Sequence, residues 1–313
     1  MQQDSKIYIA GHNGMVGSSI LRKLKRENFY NLITRSSQEL DLRDQDSVNN
    51  FFEQEQPEFV FLAAAKVGGI YANDSQPQNF LYDNLLIEMN VIKSAVKYGV
   101  KKLLFLGSSC IYPKYAAQPI EESSLLTGSL EKTNEAYALA KICGLKYCQY
   151  LSEKQSKAFF ALMPTNLYGP NDNYHPLNSH VLPSLIQKIH NAKVKKEPNV
   201  MVWGSGEPLR EFLHVDDLAS ACLVAMEKLE RFELLNVGSG EEISIKDLAS
   251  MIKNIVGYEG ELVFDKNKPD GTPRKFLDSS KIRAMGWCPE ITLSEGIAKT
   301  YNDFLCAEHR SVR

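Results

Sequence analysis

Tyr137 and Lys141 stand four residues apart in Thr133-Asn-Glu-Ala-Tyr137-Ala-Leu-Ala-Lys141, a helix-favouring stretch. On a helix, positions i and i+4 share one face, so the phenol and the ammonium can point into one pocket. A cation beside a phenol favours the phenolate, which lowers the tyrosine pKa towards working pH and makes it a usable proton donor. The same spacing also occurs on amphipathic helices as a half-buried Tyr and a solvated Lys. The pair therefore acquires meaning only from what else the chain supplies.

The first such supply is a place for phosphates. Residues 6–10 read as a short buried strand and run at once into Gly11-His-Asn-Gly14-Met-Val-Gly17, which opens an amphipathic helix over residues 18–25. Glycines permit the tight turn, the close approach of backbone N–H groups to a pyrophosphate and intimate helix–strand packing, and the helix N-terminus attracts negative charge. A glycine-rich turn between a strand and a helix is the setting of a dinucleotide site. The next strand ends in Leu32-Ile-Thr-Arg35-Ser-Ser37, where such a fold reads the adenosine ribose. An acid there favours NAD and a base accommodates the 2′-phosphate of NADP. Arg35 precedes Glu39 and Asp41, which leans towards NADP; the alternative is that Arg35 is a solvated surface side chain.

The elements that must position these residues follow in order. A helix is expected over residues 41–55, and Phe59-Val-Phe-Leu-Ala-Ala-Ala65 reads as a strand covered on both faces, its small final residues admitting a cofactor. Residues 77–98 predict a long helix with Asn84, Glu88 and Asn90 among its apolar positions, core on one side and subunit contact on the other. Residues 102–113 form another buried strand ending in Ser108, Ser109 and Cys110, at the carboxyl end where ligands of open parallel sheets gather. Strand and helix alternate from residue 6 to residue 166, which describes a doubly wound parallel sheet. Residues 200–206 and 210–217 read as a strand pair and its connection, with Asp216 a candidate cap for the next helix. The remainder predicts a helix over 245–256, a strand at 262–264, a loop over 268–275 and a last helix over 294–307. The fold class is thus α/β, a Rossmann-type doubly wound parallel sheet with a smaller C-terminal α+β substrate lobe. Residues 1–166 plus about 212–238 form the dinucleotide-binding domain, and 167–211 plus 239–313 the substrate lobe.

Bulk properties exclude other classes. With 313 residues, 43% of them hydrophobic, the chain can fill a sizeable core. A net charge of -2 with dispersed Lys and Arg points to neither nucleic acid nor an anionic membrane. The N-terminus shows no basic-then-apolar leader and the chain no membrane-length apolar run, so a soluble, cytoplasmic protein is expected. The six cysteines lack C-x-x-C or framework spacing, which indicates neither disulfides nor a metal site.

The glycine loop, Ser108 and Tyr137-x-x-x-Lys141 resemble, in order and separation, the extended short-chain dehydrogenase/reductase superfamily. More closely, Ala63-Ala-Ala-Lys-Val-Gly-Gly69, Gly107-Ser-Ser-Cys-Ile-Tyr-Pro113, Met163-Pro-Thr-Asn-Leu-Tyr-Gly-Pro170, Asn178-Ser-His180, Trp203-Gly-Ser-Gly206, Arg210-Glu-Phe-Leu-His-Val-Asp-Asp217 and Lys268-Pro-Asp-Gly-Thr-Pro-Arg-Lys275 resemble the GDP-L-fucose synthase family, over nearly the whole chain. The resemblance implies C3/C5 epimerisation and C4 reduction of GDP-4-keto-6-deoxy-D-mannose with NADPH, in preference to NADH. It implies that Tyr137 protonates the developing alkoxide, Ser108 hydrogen-bonds it, and Lys141 depresses the Tyr137 pKa and holds the nicotinamide ribose. Cys110 is implied as epimerisation base and His180 as acid, with the thiol pKa lowered by a cationic imidazole. Read from the residues alone, Cys110 is a buried thiol and His180 a loop or cap histidine.

The cofactor set implied is Gly11, His12, Asn13, Gly14, Met15, Val16, Gly17, Arg35, Asp41, Leu42, Ala63, Ala64, Lys141, Pro164, Asn166, Leu167 and His180. Lys188, Arg210 and Lys275 would face pyrophosphate or sugar, with Trp203 and Asp270 lining that end. The family commonly has arginine where this chain has Asn13 and a further base near Ser37, which leaves Arg35 as the chief candidate for the 2′-phosphate. A homodimer through the helices around residues 80–98 and 135–152 is implied too. The nearest alternative is a C4-reductase of a related GDP-4-keto-6-deoxy sugar, such as a heptose, with little or no epimerisation. A different class of protein, a non-catalytic dinucleotide-binding sensor, is the other.

Overall fold

Ile7–Ala10 and Phe59–Leu62 carry no charged side chain and are buried along their whole length, as strands covered on both faces must be. In the computed structural model, which describes residues 1–175, 179–268 and 270–311, they lie side by side at the centre of a parallel sheet. Asn178 of the Asn178-Ser-His180 motif lies outside the described residues. The chain runs β1 (Ile7–Ala10), α1 (Met15–Arg26), β2 (Leu32–Ile33), α2 (Gln45–Glu55), β3 (Phe59–Leu62), α3 (Ile70–Ser75), α4 (Pro77–Lys97), β4 (Lys102–Leu106), α5 (Glu135–Gln155), β5 (Ala158–Pro164) and β6 (Asn166–Tyr168). It continues with α6 (Val181–Lys195), β7 (Asn199–Trp203), β8 (Leu209–His214), α7 (Val215–Lys228), β9 (Leu234–Val237), β10 (Glu242–Ser244), α8 (Ile245–Val256), β11 (Glu261–Asp265), β12 (Arg274–Lys275), α9 (Ser280–Ala284) and α10 (Leu293–Ser311).

The six-stranded sheet has the order β2-β1-β3-β4-β5-β9, every pair parallel. Helices α2, α4 and α5 cover one face through Phe51, Phe52, Val91, Ile92 and Leu145, and α1 and α7 the other through Ile20, Leu24, Leu218 and Cys222. The order turns back at β1, which opens a crevice between the carboxyl ends of β1 and β3. A third core, drawn from α6, α8, α10, β7 and β8, fills the second lobe. Among the described residues no helix is long and apolar enough to cross a membrane.

Three local expectations are corrected. The strand at 199–203 pairs with β11, whereas β8 pairs with β6, β10 and β12. Gly204 and Gly206, at φ +86° and +83°, take the chain away from β7 before β8 can fold back on it. Helix α2 starts at Gln45 because the Asp44 carboxylate accepts from the backbone N–H groups of Asp46 and Ser47. The cap of α7 is His214, whose Nδ1 accepts from Asp216 N at 3.2 Å. Asp216 instead ties α7 to α1, accepting from Ser19 Oγ at 2.5 Å and Arg22 Nη2 at 2.9 Å. The sheet's last strand, β9, comes from the 212–238 segment.

Candidate active site

The glycine turn is built for close approach. Gly11 lies at φ +85°, and a Cβ there would sit 2.7 Å from Ala64 N; a Cβ on Gly17 would sit 2.2 Å from Gly11 O. Gly14 caps α1 without a side-chain bond, so the first-turn N–H groups face the crevice with nothing of their own to satisfy them. Among the described residues His12 Nδ1 is likewise buried without a hydrogen-bond partner. These open donors fit the pyrophosphate of a nicotinamide dinucleotide. Beside them, Arg35 is held by Glu55 at 2.6 Å and lies over the Phe51 ring, 5.6 Å from its centroid. Asp41 is bound to Arg43, and Leu42 O accepts from Asn90 Nδ2 at 3.0 Å. Asn166 Nδ2 donates to Glu211 O at 2.8 Å, which fixes the β5–β6 turn under the crevice.

The reacting end lies at the carboxyl end of β4. Ser108 opens a short 3-10 turn and its hydroxyl accepts from Cys110 N at 3.4 Å. Lys141 is fully buried; its Nζ donates to Leu106 O at 3.1 Å and stands 3.0 Å from Glu88 Oε1. The ammonium lies beneath the Tyr137 ring, 5.7 Å from its centroid, and the Phe80 ring meets Tyr137 edge-on at 6.5 Å. Cys110 is 7% exposed. His180 begins α6 on the opposite wall, reached by solvent along the cleft.

Charges here differ from the sequence expectation. Burial, with Cys110 and Glu88 adding to it, pushes the Tyr137 phenol well above its ordinary value. The Lys141 charge that was to lower it is shared with Glu88. Burial also pushes the Cys110 thiol up, and the leading pull in the other direction comes from Lys275. His180 is held below the ordinary imidazole value by its surroundings and by Lys275, so it is not the cation that activates the thiol.

In the second lobe, the Trp203 ring is 58% exposed at the cleft, with Lys188 Nζ at 5.1 Å and Lys268 Nζ at 5.5 Å from its centroid. Asp270 accepts from Ser205 N at 2.6 Å and Ser205 Oγ at 2.9 Å, an anchor for its loop. Arg210 on β8 and Lys275 on β12 are register partners. Burial lowers the pKa of both cations and of Lys188, as expected of charges waiting for anions.

All the residues assigned from sequence therefore line one cleft of about 2180 Å³, which also takes in Arg43, Asp83 and Glu131. Residues 7–238 match the NAD dependent epimerase/dehydratase family. GDP-L-fucose synthase 1 of Arabidopsis thaliana is 55% identical over 97% of this chain and 94% of that protein. The chain belongs to the NAD dependent epimerase/dehydratase family, in its GDP-L-fucose synthase branch. Another relative in this branch, GDP-L-fucose synthase of Escherichia coli (strain K12), is 50% identical and covers 96% of each chain. Within the wider epimerase/dehydratase fold, the GDP-mannoheptose C4 reductase of Campylobacter jejuni, solved with NADP bound, superposes with a TM-score of 0.90 at 38% identity over 97% of this chain and 99% of that one.

Sequence reading missed Glu88 as a site residue. Its signal was visible: Asn84, Glu88 and Asn90 recur on the buried side of an apolar helix, where each polar group needs a partner. Asn84 finds the Lys66 backbone and Asn90 the Leu42 carbonyl. Glu88 finds Lys141.

Proposed function

We propose that the chain converts GDP-4-keto-6-deoxy-D-mannose to GDP-L-fucose, inverting C3 and C5 and reducing the C4 ketone with NADPH. The observation that carries this reading is the gathering of Ser108, Cys110, Tyr137, Lys141 and His180 at one end of a cleft whose other end holds Lys188, Trp203 and Arg210. Residues 1–166 with about 212–238 hold the dinucleotide, and 167–211 with 239–313 hold the nucleotide sugar. Bound NADPH supplies the hydride to C4. Tyr137 gives its proton to the C4 oxygen as charge develops there, and Ser108 hydrogen-bonds that oxygen. Both carbons beside the ketone carry acidic protons: Cys110, as thiolate, removes one, and His180 returns one from the facing wall. Arg35 favours NADPH, since its guanidinium, held by Glu55 of α2, matches the 2′-phosphate.

Tyr82 on α4 and Leu139 and Tyr150 on α5 are exposed, which supports a homodimer joined through these helices. Light scattering that gave a single-chain mass for the parent, or an unchanged mass for Leu139→Glu, would remove that assignment. The reaction is tested by offering candidate GDP-ketosugars with NADPH in heavy water. Deuterium at C3 and C5 with GDP-L-fucose as product is expected. Reduction without deuterium would make the enzyme a simple C4-reductase, and absence of NADPH oxidation with every ketosugar would overturn the reading.

A further inference from the structure

Glu88 is a buried carboxylate behind the reacting end that the proposed chemistry does not use. It lies on the buried face of α4, is 0% exposed, and stands 3.0 Å from Lys141 Nζ. The contact is an ion pair and not an aligned hydrogen bond: neither Glu88 oxygen has a hydrogen-bond partner among the described residues. Burying a carboxylate on these terms is costly, and an apolar side chain of similar volume would pack the α4–α5 seam at lower cost. The neighbouring helix nevertheless makes room for it. Position 144 on α5 is glycine, and a Cβ there would lie 2.6 Å from Glu88 Oε2 and 2.7 Å from the Phe105 ring.

We propose that Glu88 is a positioning residue for the reduction, a counter-ion that anchors the Lys141 ammonium and offsets its charge, so that Tyr137 remains a proton-bearing phenol. Leu106 O and Glu88 hold the ammonium from the strand and from α4, while the Tyr137 ring and the cleft lie on its other side. An uncompensated ammonium at this place would draw the proton off the phenol, leaving phenolate, which cannot protonate an alkoxide. Burial pushes the Glu88 carboxyl up to about 7 against the pull of Lys141, so it carries its charge from neutral pH upward. Tyr137, Cys143 and Cys148 of α5 feel the Glu88 charge, Cys110 after β4 adds to it at Tyr137, Lys141 and Lys275 act on Cys110, and Lys275 acts on His180.

This inference rests on the reading of Tyr137 as proton donor, and its test separates the two. The tyrosinate absorbance of the chain, minus that of its Tyr137→Phe counterpart, is titrated from pH 7 up to the onset of alkaline unfolding for the parent, Glu88→Gln and Glu88→Asp. The pH dependence of NADPH oxidation with the ketosugar is followed in parallel. In Glu88→Gln the Tyr137 signal is expected to ionise earlier, by about one pH unit or more, and the alkaline limb of the rate to move with it. Glu88→Asp should shift less in the same direction, which serves if the glutamine variant does not fold. Glu88→Gln combined with Lys141→Met should return the phenol to its parent behaviour. A Tyr137 titration that stays in place in the Gln and Asp variants overturns the proposal. A titration that moves while the rate limb stays supports the counter-ion and overturns Tyr137 as the donor.

Discussion

The Lys275 ammonium is the leading positive charge acting on the Cys110 thiol. It reaches the site from β12 of the second lobe, in register with Arg210 of β8, so the thiol proposed as epimerising base feels a charge from the lobe proposed to hold the substrate. Burial holds the thiol pKa above its ordinary value, so thiolate is scarce at neutral pH and grows as pH rises. C3/C5 deuterium exchange should therefore increase with pH across the neutral-to-alkaline range. Lys275→Met should slow exchange about tenfold, a loss of about one pH unit of thiol acidity, and more than it slows C4 reduction. Deuterium incorporation and NADPH oxidation, measured on the same samples, decide it; equal losses in both would place Lys275 in substrate binding alone.

Arg35 lies over Phe51 and is held by Glu55. An ordered guanidinium spends less freedom on meeting the 2′-phosphate than a mobile one. Arg35→Met should raise the KM for NADPH by about tenfold, the scale of one charge-assisted bond, and leave the KM for NADH nearly unchanged. Initial rates with each cofactor test this. Equal changes for both cofactors would remove Arg35 from 2′-phosphate recognition.

Gly144→Ala is a substitution that helix propensity alone would favour by about 1 kcal/mol. Here the added Cβ meets Glu88 Oε2 and the Phe105 ring inside contact distance, across the α4–α5 seam. Overpacking of this kind costs about 1–3 kcal/mol. Urea unfolding should show a net loss of stability, and a gain would mean that Glu88 has free space to yield.

The sheet and the glycine turn were legible in the sequence because burial on both faces and a strand–glycine–helix junction leave few alternatives. Tyr137, Ser108 and Cys110 could be placed because they follow directly on such elements. The partner of β7 could not, because two glycines with positive φ decide the chain direction and β11 lies far along the sequence. Charge states were the least legible part. Whether a cation lowers a phenol or thiol depends on burial and on third parties, and the third party at Lys141 is a carboxylate on another helix.

His214 lends itself to a stability measurement. Its side chain is buried, with Nδ1 accepting from Asp216 N to cap α7 and Nε2 facing Tyr168 and Gly169 without a hydrogen-bond partner among the described residues. Burial lowers its pKa to about 4, with Lys299 and Arg22 adding to that against the pull of Asp216. The neutral imidazole is thus the native form, while the unfolded chain takes up a proton below about pH 6.5. Between those values the unfolded state binds more protons, so stability contributed by His214 falls as pH is lowered through this window. At pH 5 the loss from this residue should be on the order of 2 kcal/mol relative to pH 7. His214→Asn retains a capping acceptor and removes the titration, so its unfolding free energy should change less between pH 7 and pH 5 by that amount. Urea unfolding of both proteins at the two pH values reads the difference directly; identical losses would mean that His214 is already protonated in the folded protein, with its charge satisfied.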